Sequence, residues 1–306
     1  VKATVINLIN VGDRYLRRAG LITHRLSTER LMEYVLRESG AMRSVNHNVA
    51  YGIAGVYLDR SLEVSRDMRK KFFSLLRERA KRFPLQYLLG EASFMDFSFA
   101  VDQTCLIPRP ETELLVEQVL REIKESVPSG EVRIIDIGTG CGNIALSLAR
   151  YLPFAEVWAT DISAETLALA KKNAVSLDAW KEGRFILSNS FQNVPDIRFE
   201  CIVSNPPYLS QSDMKALEGE VMHEPTGALF GGKTGTEIIV KIAHDARKYL
   251  TDGGLLAMEI GMGQAKKVKA ALKKMGYSSV QTLADYIGIQ RVVLARFRNK
   301  NSVRSI

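Results

Sequence analysis

The 306-residue chain has only three cysteines, Cys105, Cys141 and Cys201, far apart and without a C-x-x-C pair. So sparse a set points to a reducing compartment and against a disulfide framework or a thiolate metal site. The four histidines, His24, His47, His223 and His244, show neither H-E-x-x-H nor H-x₃₋₅-H spacing, so zinc has no support and each reads as a surface or packing residue. No apolar run approaches the ~18–20 residues of a membrane span, and no signal-peptide pattern opens the chain, so a soluble protein is expected. Proline is absent before Pro84, and there is no internal repeat or low-complexity stretch.

What is present is ordinary globular composition, 46% hydrophobic and 25% charged, in a length suited to about two domains. The net charge of +8 is unevenly distributed. Residues 1–88 carry 17 Lys and Arg against 8 Asp and Glu, residues 89–265 carry 15 against 25, and residues 266–306 carry 10 against 1. An acidic middle between basic ends marks a separate central unit and argues against a uniformly cationic, histone-like binder.

Residues 1–83 read as a small all-helical domain. Val5, Leu8, Ile9, Leu16 and Leu21 have partly helical spacing and start a first helix, although Val1 in place of Met with Lys2, Arg14, Arg17 and Arg18 against Asp13 faintly resembles a transit peptide. Ser27 or Thr28 is expected to cap a helix with an apolar face of Leu31, Met32, Val35 and Leu36, stopped by Gly40. A helix over 61–82 buries Met68, Phe72, Leu75, Leu76 and the stem of Arg79, leaving Arg66, Arg69, Lys70, Lys71, Arg77, Lys81 and Arg82 to solvent. Residues 84–110 form a linker in which Phe94, Phe97, Phe99 and Val101 alternate around Asp96 as a β-hairpin.

From 111 to 306 helix and strand alternate. Helices are expected at 111–126, 143–151, 164–176, 235–250 and 264–275. Strands are expected at 132–137, 156–160, 184–187, 200–204, 254–260, 277–283 and 291–297. This is the pattern of an α/β, doubly wound, Rossmann-like sheet, whose ligands sit beyond the carboxyl ends of the strands near the switch point.

Two loops in that domain carry chemistry. Gly138-Thr139-Gly140-Cys141-Gly142 joins the strand at 132–137 to a helix, and glycine at alternate positions lets a ligand approach the backbone and aims amide donors at it. Its G-x-G-x-G spacing differs from the G-x-G-x-x-G dinucleotide fingerprint, which suits a nucleoside cofactor without a pyrophosphate. Asp161 ends the next strand, where a carboxylate can accept both hydrogens of a ribose diol. In the second loop, Ser204-Asn205-Pro206-Pro207-Tyr208, the prolines stiffen the chain so that the Asn205 side chain and nearby carbonyls can accept from a planar NH2 group, with Tyr208 as a stacking face. Acceptors holding both N–H bonds orient the nitrogen lone pair toward an electrophilic methyl, which suits methylation of an amide or exocyclic amine.

Residues 134–149 with Asn205-Pro206-Pro207-Tyr208 resemble class I S-adenosylmethionine-dependent methyltransferases acting on nitrogen. A narrower resemblance is to the release factor glutamine N5-methyltransferases, the PrmC/HemK family. It rests on Pro84-Leu85-Gln86-Tyr87-Leu88-Leu89-Gly90, Ile107-Pro108-Arg109-Pro110-Glu111-Thr112-Glu113, Glu224-Pro225 and Ala228-Leu229-Phe230-Gly231-Gly232. Glu259-Ile260-Gly261 with Gln264, and Gly288-Ile289-Gln290-Arg291-Val292-Val293, extend it toward the C-terminus.

The resemblance implies a seven-stranded methyltransferase domain after the helical domain and hairpin. It implies S-adenosylmethionine held by Gly138, Thr139, Gly140, Cys141, Gly142, Asp161, Asn189, Ser190 and Asn205. The substrate amide, the glutamine of a Gly-Gly-Gln loop in class I peptide chain release factors, would meet Asn205, Pro206, Pro207 and Tyr208, with Asn205, Pro206 and Tyr208 catalytic. Ser188-Asn189-Ser190-Phe191 stands where the family has an acidic and then an aromatic residue: Asn189 can accept from an adenine amino group, whereas Ser190 gives up a stacking surface. Glu200 replaces a usual aspartate. Arg109, Glu111 and Glu113 precede a helix, and the two carboxylates also favour its positive end. The expected enzyme is a monomer, cytoplasmic or in an organellar matrix if Val1 is a processed end, using neither metal nor membrane and needing no nucleic acid. Glutamine methylation of a ribosomal protein, amino-methylation of DNA or RNA, and non-catalytic RNA or ribosome binding through the basic ends stay open. The basic N-terminal face, with Lys70, Lys71, Lys81 and Arg82, is a candidate dock for the rest of a release factor.

Overall fold

The helical spacing at the start of the chain forms α1 (Val5–Arg18), followed by α2 (His24–Glu38), α3 (Gly52–Leu58), α4 (Arg66–Ala80) and α5 (Leu85–Leu89). The structure is a computed structural model that describes residues 3–41, 52–126, 132–179 and 184–298. It divides into two compact units: Val1–Gly90 with Glu218–His223, and Glu91–Leu217 with Glu224–Ile306.

In the first unit Val5, Ile9, Leu16, Leu31, Met32, Leu36, Phe72 and Leu76 form the core. Gly12 permits close packing, because a Cβ there would lie 2.7 Å from Thr28 Cγ2 and 3.1 Å from Leu76 Cδ1. The cap expected at Ser27 or Thr28 lies at Thr23 instead, one turn earlier. Both hydroxyl residues are buried within α2, where Thr28 Oγ1 donates back to His24 O at 2.8 Å. The helix expected over 61–82 starts at Arg66 because Ser65 caps it, accepting from Met68 N. Arg79 buries its whole side chain, at 2% exposure. Its guanidinium donates to Ser27 Oγ, Thr23 Oγ1, Phe83 O and Glu220, so that every guanidinium nitrogen has a partner, which the amphipathic pattern does not reveal. His24 pairs with Asp13 at 2.6 Å, and His223 packs edge-on against Phe83. His47 lies outside the described residues.

The second unit opens with the hairpin β1 (Glu91–Phe94) and β2 (Phe97–Ala100), in which Phe94 faces Phe97 across the turn. The hairpin therefore groups with the catalytic-type domain, and the helical unit extends to Gly90. Then come α6 (Pro110–Ser126), β3 (Val132–Ile137), α7 (Asn143–Tyr151), β4 (Ala155–Asp161), α8 (Ala164–Ser176), β5 (Arg184–Leu187) and β6 (Phe199–Ser204). An excursion follows, with β7 (Leu209–Ser210), α9 (Gln211–Lys215), a 3₁₀ turn Gly219–His223, α10 (Thr226–Leu229) and β8 (Phe230–Gly232). The chain closes with α11 (Glu237–Ala246), β9 (Leu250–Glu259), α12 (Ala265–Lys274), β10 (Ser278–Ala284) and β11 (Gln290–Arg296).

Seven strands form one sheet in the order β10-β11-β9-β6-β3-β4-β5. The run from β9 to β5 is parallel, and β11 is antiparallel to both neighbours. Strand order reverses between β3 and β6, so the loops after these two strands open at the switch point. The helix expected over 235–250 is shorter because Gly235, at φ +79°, is not helical and Leu250 already pairs with Phe199. Among the described residues no helix is long and apolar enough to cross a membrane.

Candidate active site

The glycine loop leaves β3 through three left-handed residues, Gly138, Gly140 and Gly142, at φ +76°, +58° and +89°. At Gly138 and Gly140 an added Cβ would meet nothing within 4 Å, so conformation alone requires glycine there. Gly142 also packs closely, since its Cβ would lie 2.9 Å from Leu146 Cδ1. The expectation that this loop aims its amides at a ligand is corrected for four of them. Gly138 and Thr139 donate to Thr160 O, Gly140 to Asp161 Oδ2 and Gly142 to Thr139 O. These bonds fasten the loop to the end of β4 and leave its wall open to a ligand at Gly138, Thr139 and Gly140, which line a cavity of ≈ 380 Å³. Cys141 is fully buried and, like Gly142, stands off the cavity wall.

Asp161 lines the same cavity with its side chain held from two directions, Oδ2 by Gly140 N at 2.9 Å and Oδ1 by Ser163 N at 3.0 Å. Burial pushes its pKa up, and the backbone N–H bonds from Ser163, Gly140 and Ile162 oppose the shift. Each carboxylate oxygen keeps a further lone pair for a diol. Asn189 and Ser190 reach the wall as well. Ser190 adopts φ +58°, and its buried Oγ has no hydrogen-bond partner among the described residues. Ile162, 69% exposed, supplies an apolar wall that the sequence reading missed; its signal was a large apolar side chain directly after the strand-terminal acid.

Across the cavity, Ser204 Oγ donates to Ile137 O at 2.6 Å and ties the end of β6 to the end of β3. Asn205, Pro206 and Pro207 then line the wall. Because neither proline carries an N–H, that stretch offers acceptors with few competing donors. Tyr208 is not among the residues that line the cavity. Its ring lies against Gly261, and its hydroxyl hydrogen-bonds Glu259; burial, then the negative charge of Glu259, raises its pKa. The loop is clamped from behind by Gln264, which donates to Tyr208 O at 2.8 Å while accepting from Gly261 N. Gly231 makes the same clamp possible, since a Cβ there would sit 2.6 Å from Pro207 O and 2.7 Å from Tyr208 Cα.

Asn205 Nδ2 donates to Thr112 Oγ1 at 3.1 Å, and Thr112 donates to the buried Glu259 Oε2 at 2.6 Å. Burial pushes Glu259 up to about 7 against the hydrogen bonds from Thr112 and Tyr208. Sequence reading noted Thr112 and Glu259 only as motif letters; their contact spans 147 positions. Arg109, on the cavity wall, is paired with the buried Glu224, which also accepts from Ile107 N. Glu113 accepts from Met95 N and fixes the hairpin turn. Glu200 accepts from Arg133 N and serves strand pairing.

These residues fit S-adenosylmethionine. A carboxylate with spare acceptors, open glycine backbone, an apolar flank and an unsatisfied buried hydroxyl at Ser190 line one cavity of nucleoside-ligand scale. Among the described residues no group of three or more His, Cys, Asp or Glu side chains could hold a metal ion.

Residues 7–90 match the PrmC N-terminal domain family and residues 110–230 the methyltransferase small domain family. The release factor glutamine methyltransferase of Salmonella typhimurium is 40% identical over 229 residues, covering 75% of this chain and 81% of that one. That of Geobacter sulfurreducens is 36% identical over 294 residues, 96% of each chain. Among solved structures, the hMettl16 catalytic domain in complex with MAT2A 3′UTR hairpin 6 superposes with TM-score 0.54 at 18% identity, covering 74% of this chain and 83% of that one. The T. thermophilus 16S rRNA N2 G1207 methyltransferase does so with TM-score 0.50 at 19% identity, covering 68% and 50%. The structural likenesses establish the α/β methyltransferase fold, and the sequence relatives with the N-terminal domain establish the rest: the chain belongs to the release factor glutamine methyltransferase family.

Proposed function

We propose that this protein transfers a methyl group from S-adenosylmethionine to the side-chain amide nitrogen of the glutamine in the Gly-Gly-Gln loop of class I peptide chain release factors. The observation that carries this reading is the setting of Asn205. Its Nδ2 is spent on Thr112, so the free edge of its amide at the cavity is the acceptor Oδ1, the group a substrate N–H requires.

When bound, S-adenosylmethionine supplies an electrophilic methyl. Gly138, Gly140 and Asp161 would hold it, with Asn189 and Ser190 at the adenine side. Asn205 Oδ1 accepts one N–H of the substrate amide, and the carbonyls of the proline-stiffened loop take the other. Held in this way, the amide plane is fixed and its lone pair faces the methyl donor, so positioning and electrostatics do the catalytic work without a strong base. Tyr208 contributes from behind the wall, as a partner of Glu259.

The first unit is the proposed dock for the rest of the release factor. Lys70, Lys71, Lys81 and Arg82 are engaged locally with Asp67, Glu38, Glu78 and Gly20 O, so the docking groups are Arg66, Arg69 and Arg77, which line one groove with Lys70 and Phe73. The three buried cysteines, none of them in a disulfide, support a reducing compartment, the cytoplasm or an organellar matrix.

The test is incubation with labelled S-adenosylmethionine and, separately, intact release factor, ribosomal protein, tRNA and DNA. Label on the release factor, lost with Asn205→Ala, supports the reading. Label on a ribosomal protein or nucleic acid without label on release factor overturns it.

A further inference from the structure

We infer that Thr112 and Glu259 are positioning residues that set which edge of the Asn205 amide faces the substrate. The inference rests on the glutamine-methylation reading and concerns how the acceptor is aimed.

An asparagine amide is nearly symmetric in shape, so packing alone discriminates poorly between Oδ1 and Nδ2; its hydrogen-bond partners decide. Glu259 ends β9, is 1% exposed, and as a carboxylate can only accept. The Thr112 hydroxyl hydrogen is therefore committed to Glu259 Oε2. Thr112 Oγ1 is left with lone pairs toward Asn205, which can be met only by the Nδ2 donor. The remaining edge, Oδ1, has no partner among the described residues, and Asn205 lines the cavity, so the free acceptor is the edge left for a substrate. Proton direction thus passes from a buried charge through one hydroxyl to the catalytic amide. If Glu259 gains a proton, it can donate to Thr112, Thr112 can donate to Asn205 Oδ1, and the amide would present NH2 to a substrate NH2.

Other charged or titratable groups bear on Glu259. Tyr208 donates to it, Arg291 on β11 favours its charged form, and Glu111 on α6 opposes it. Arg291 is itself paired with Asp285. With burial dominant, Glu259 titrates at about 7, within the working range of an assay.

The experiment measures kcat for release-factor methylation against pH, with S-adenosylmethionine affinity measured separately by calorimetry, for wild type, Thr112→Val, Thr112→Ser and Glu259→Gln. The relay predicts that kcat of wild type falls as pH drops through about 7. Thr112→Val lowers kcat roughly 10- to 100-fold with cofactor affinity unchanged, as expected when an acceptor in the transition state loses its aim. Thr112→Ser restores it, and Glu259→Gln loses the low-pH limb. Wild-type kcat in Thr112→Val, or a low-pH limb with unmoved midpoint in Glu259→Gln, overturns the relay. Should Glu259→Gln not fold, the Val and Ser variants alone decide. Wild-type protein that labels no release factor overturns the substrate reading and the relay with it; label on wild type together with an equally active Thr112→Val overturns the relay alone.

Discussion

Replacing Gly231 with alanine adds one methyl group behind the Asn205-Pro206-Pro207-Tyr208 loop, far from the glycine loop in sequence. The new Cβ would lie 2.6 Å from Pro207 O, 2.7 Å from Gly235 O and 2.7 Å from Tyr208 Cα. Ordinary carbon contacts lie at about 3.5 Å or more, so backbone must move by about 1 Å, and no flexible side chain end can absorb the clash. Gly231 is not in the left-handed region, so the effect comes from crowding and not from backbone strain. Overpacking of this kind costs about 1–3 kcal/mol of stability. A displacement of about 1 Å at a positioning loop costs roughly 100-fold in rate. Cofactor affinity should stay within about twofold, because Gly138, Gly140 and Asp161 are fastened to β4 independently of Gly231. Steady-state methylation of a release factor gives kcat, and calorimetry gives the cofactor Kd. A Gly231→Ala protein with wild-type kcat would refute the claim that close packing behind the loop sets its position.

Asp161→Asn should weaken S-adenosylmethionine binding about 10- to 100-fold by calorimetry, since hydrogen bonds to a charged group contribute about 1.5–3 kcal/mol; unchanged affinity would remove Asp161 from the cofactor site. Arg79→Ala strips partners from Ser27, Thr23 and Phe83 O in the first unit and should destabilise that unit by about 3 kcal/mol in denaturant unfolding. A change below about 1 kcal/mol would mean that the buried guanidinium is not a structural centre. Burial holds Asp136 up at about 7 in the folded protein, well above the ordinary carboxylate value of 3.8. The folded state therefore carries the extra proton between those values. The contribution of Asp136 to stability is fully present below about pH 4 and is lost as pH rises through 7. Asp136→Asn should flatten that decline between about pH 4 and 7 in thermal unfolding, and an unchanged slope would assign it to other groups.

The periodic parts of the fold were legible because each strand of the sheet and each flanking helix carries its own burial signal over enough residues. The two chemical loops were legible for a similar reason: Gly138 to Gly142 and Asn205 to Tyr208 are contiguous, and their composition is unusual. Residues 209–232 were not, because elements of two to five residues such as β7 and β8 have no period to read. Arg79 looked like the edge of an amphipathic face, since its partners Thr23, Ser27 and Glu220 lie 52 to 141 positions away. The α2 start was misplaced because the two hydroxyls that could cap a helix are spent otherwise: Thr28 bonds back within the helix and Ser27 accepts from Arg79. Thr112 reads as an ordinary first-turn residue of α6 until the sheet brings Glu259 and Asn205 to it.

The central claim, that Asn205 presents an acceptor to a glutamine amide, is tested most directly by peptide mapping. A release factor is incubated with the protein and S-adenosylmethionine, digested, and mapped by fragmentation mass spectrometry. The predicted result is a single methyl group on the side-chain nitrogen of the Gly-Gly-Gln glutamine, absent when Asn205→Ala protein is used. A methyl group on any other residue, or one that persists with Asn205→Ala, would contradict it.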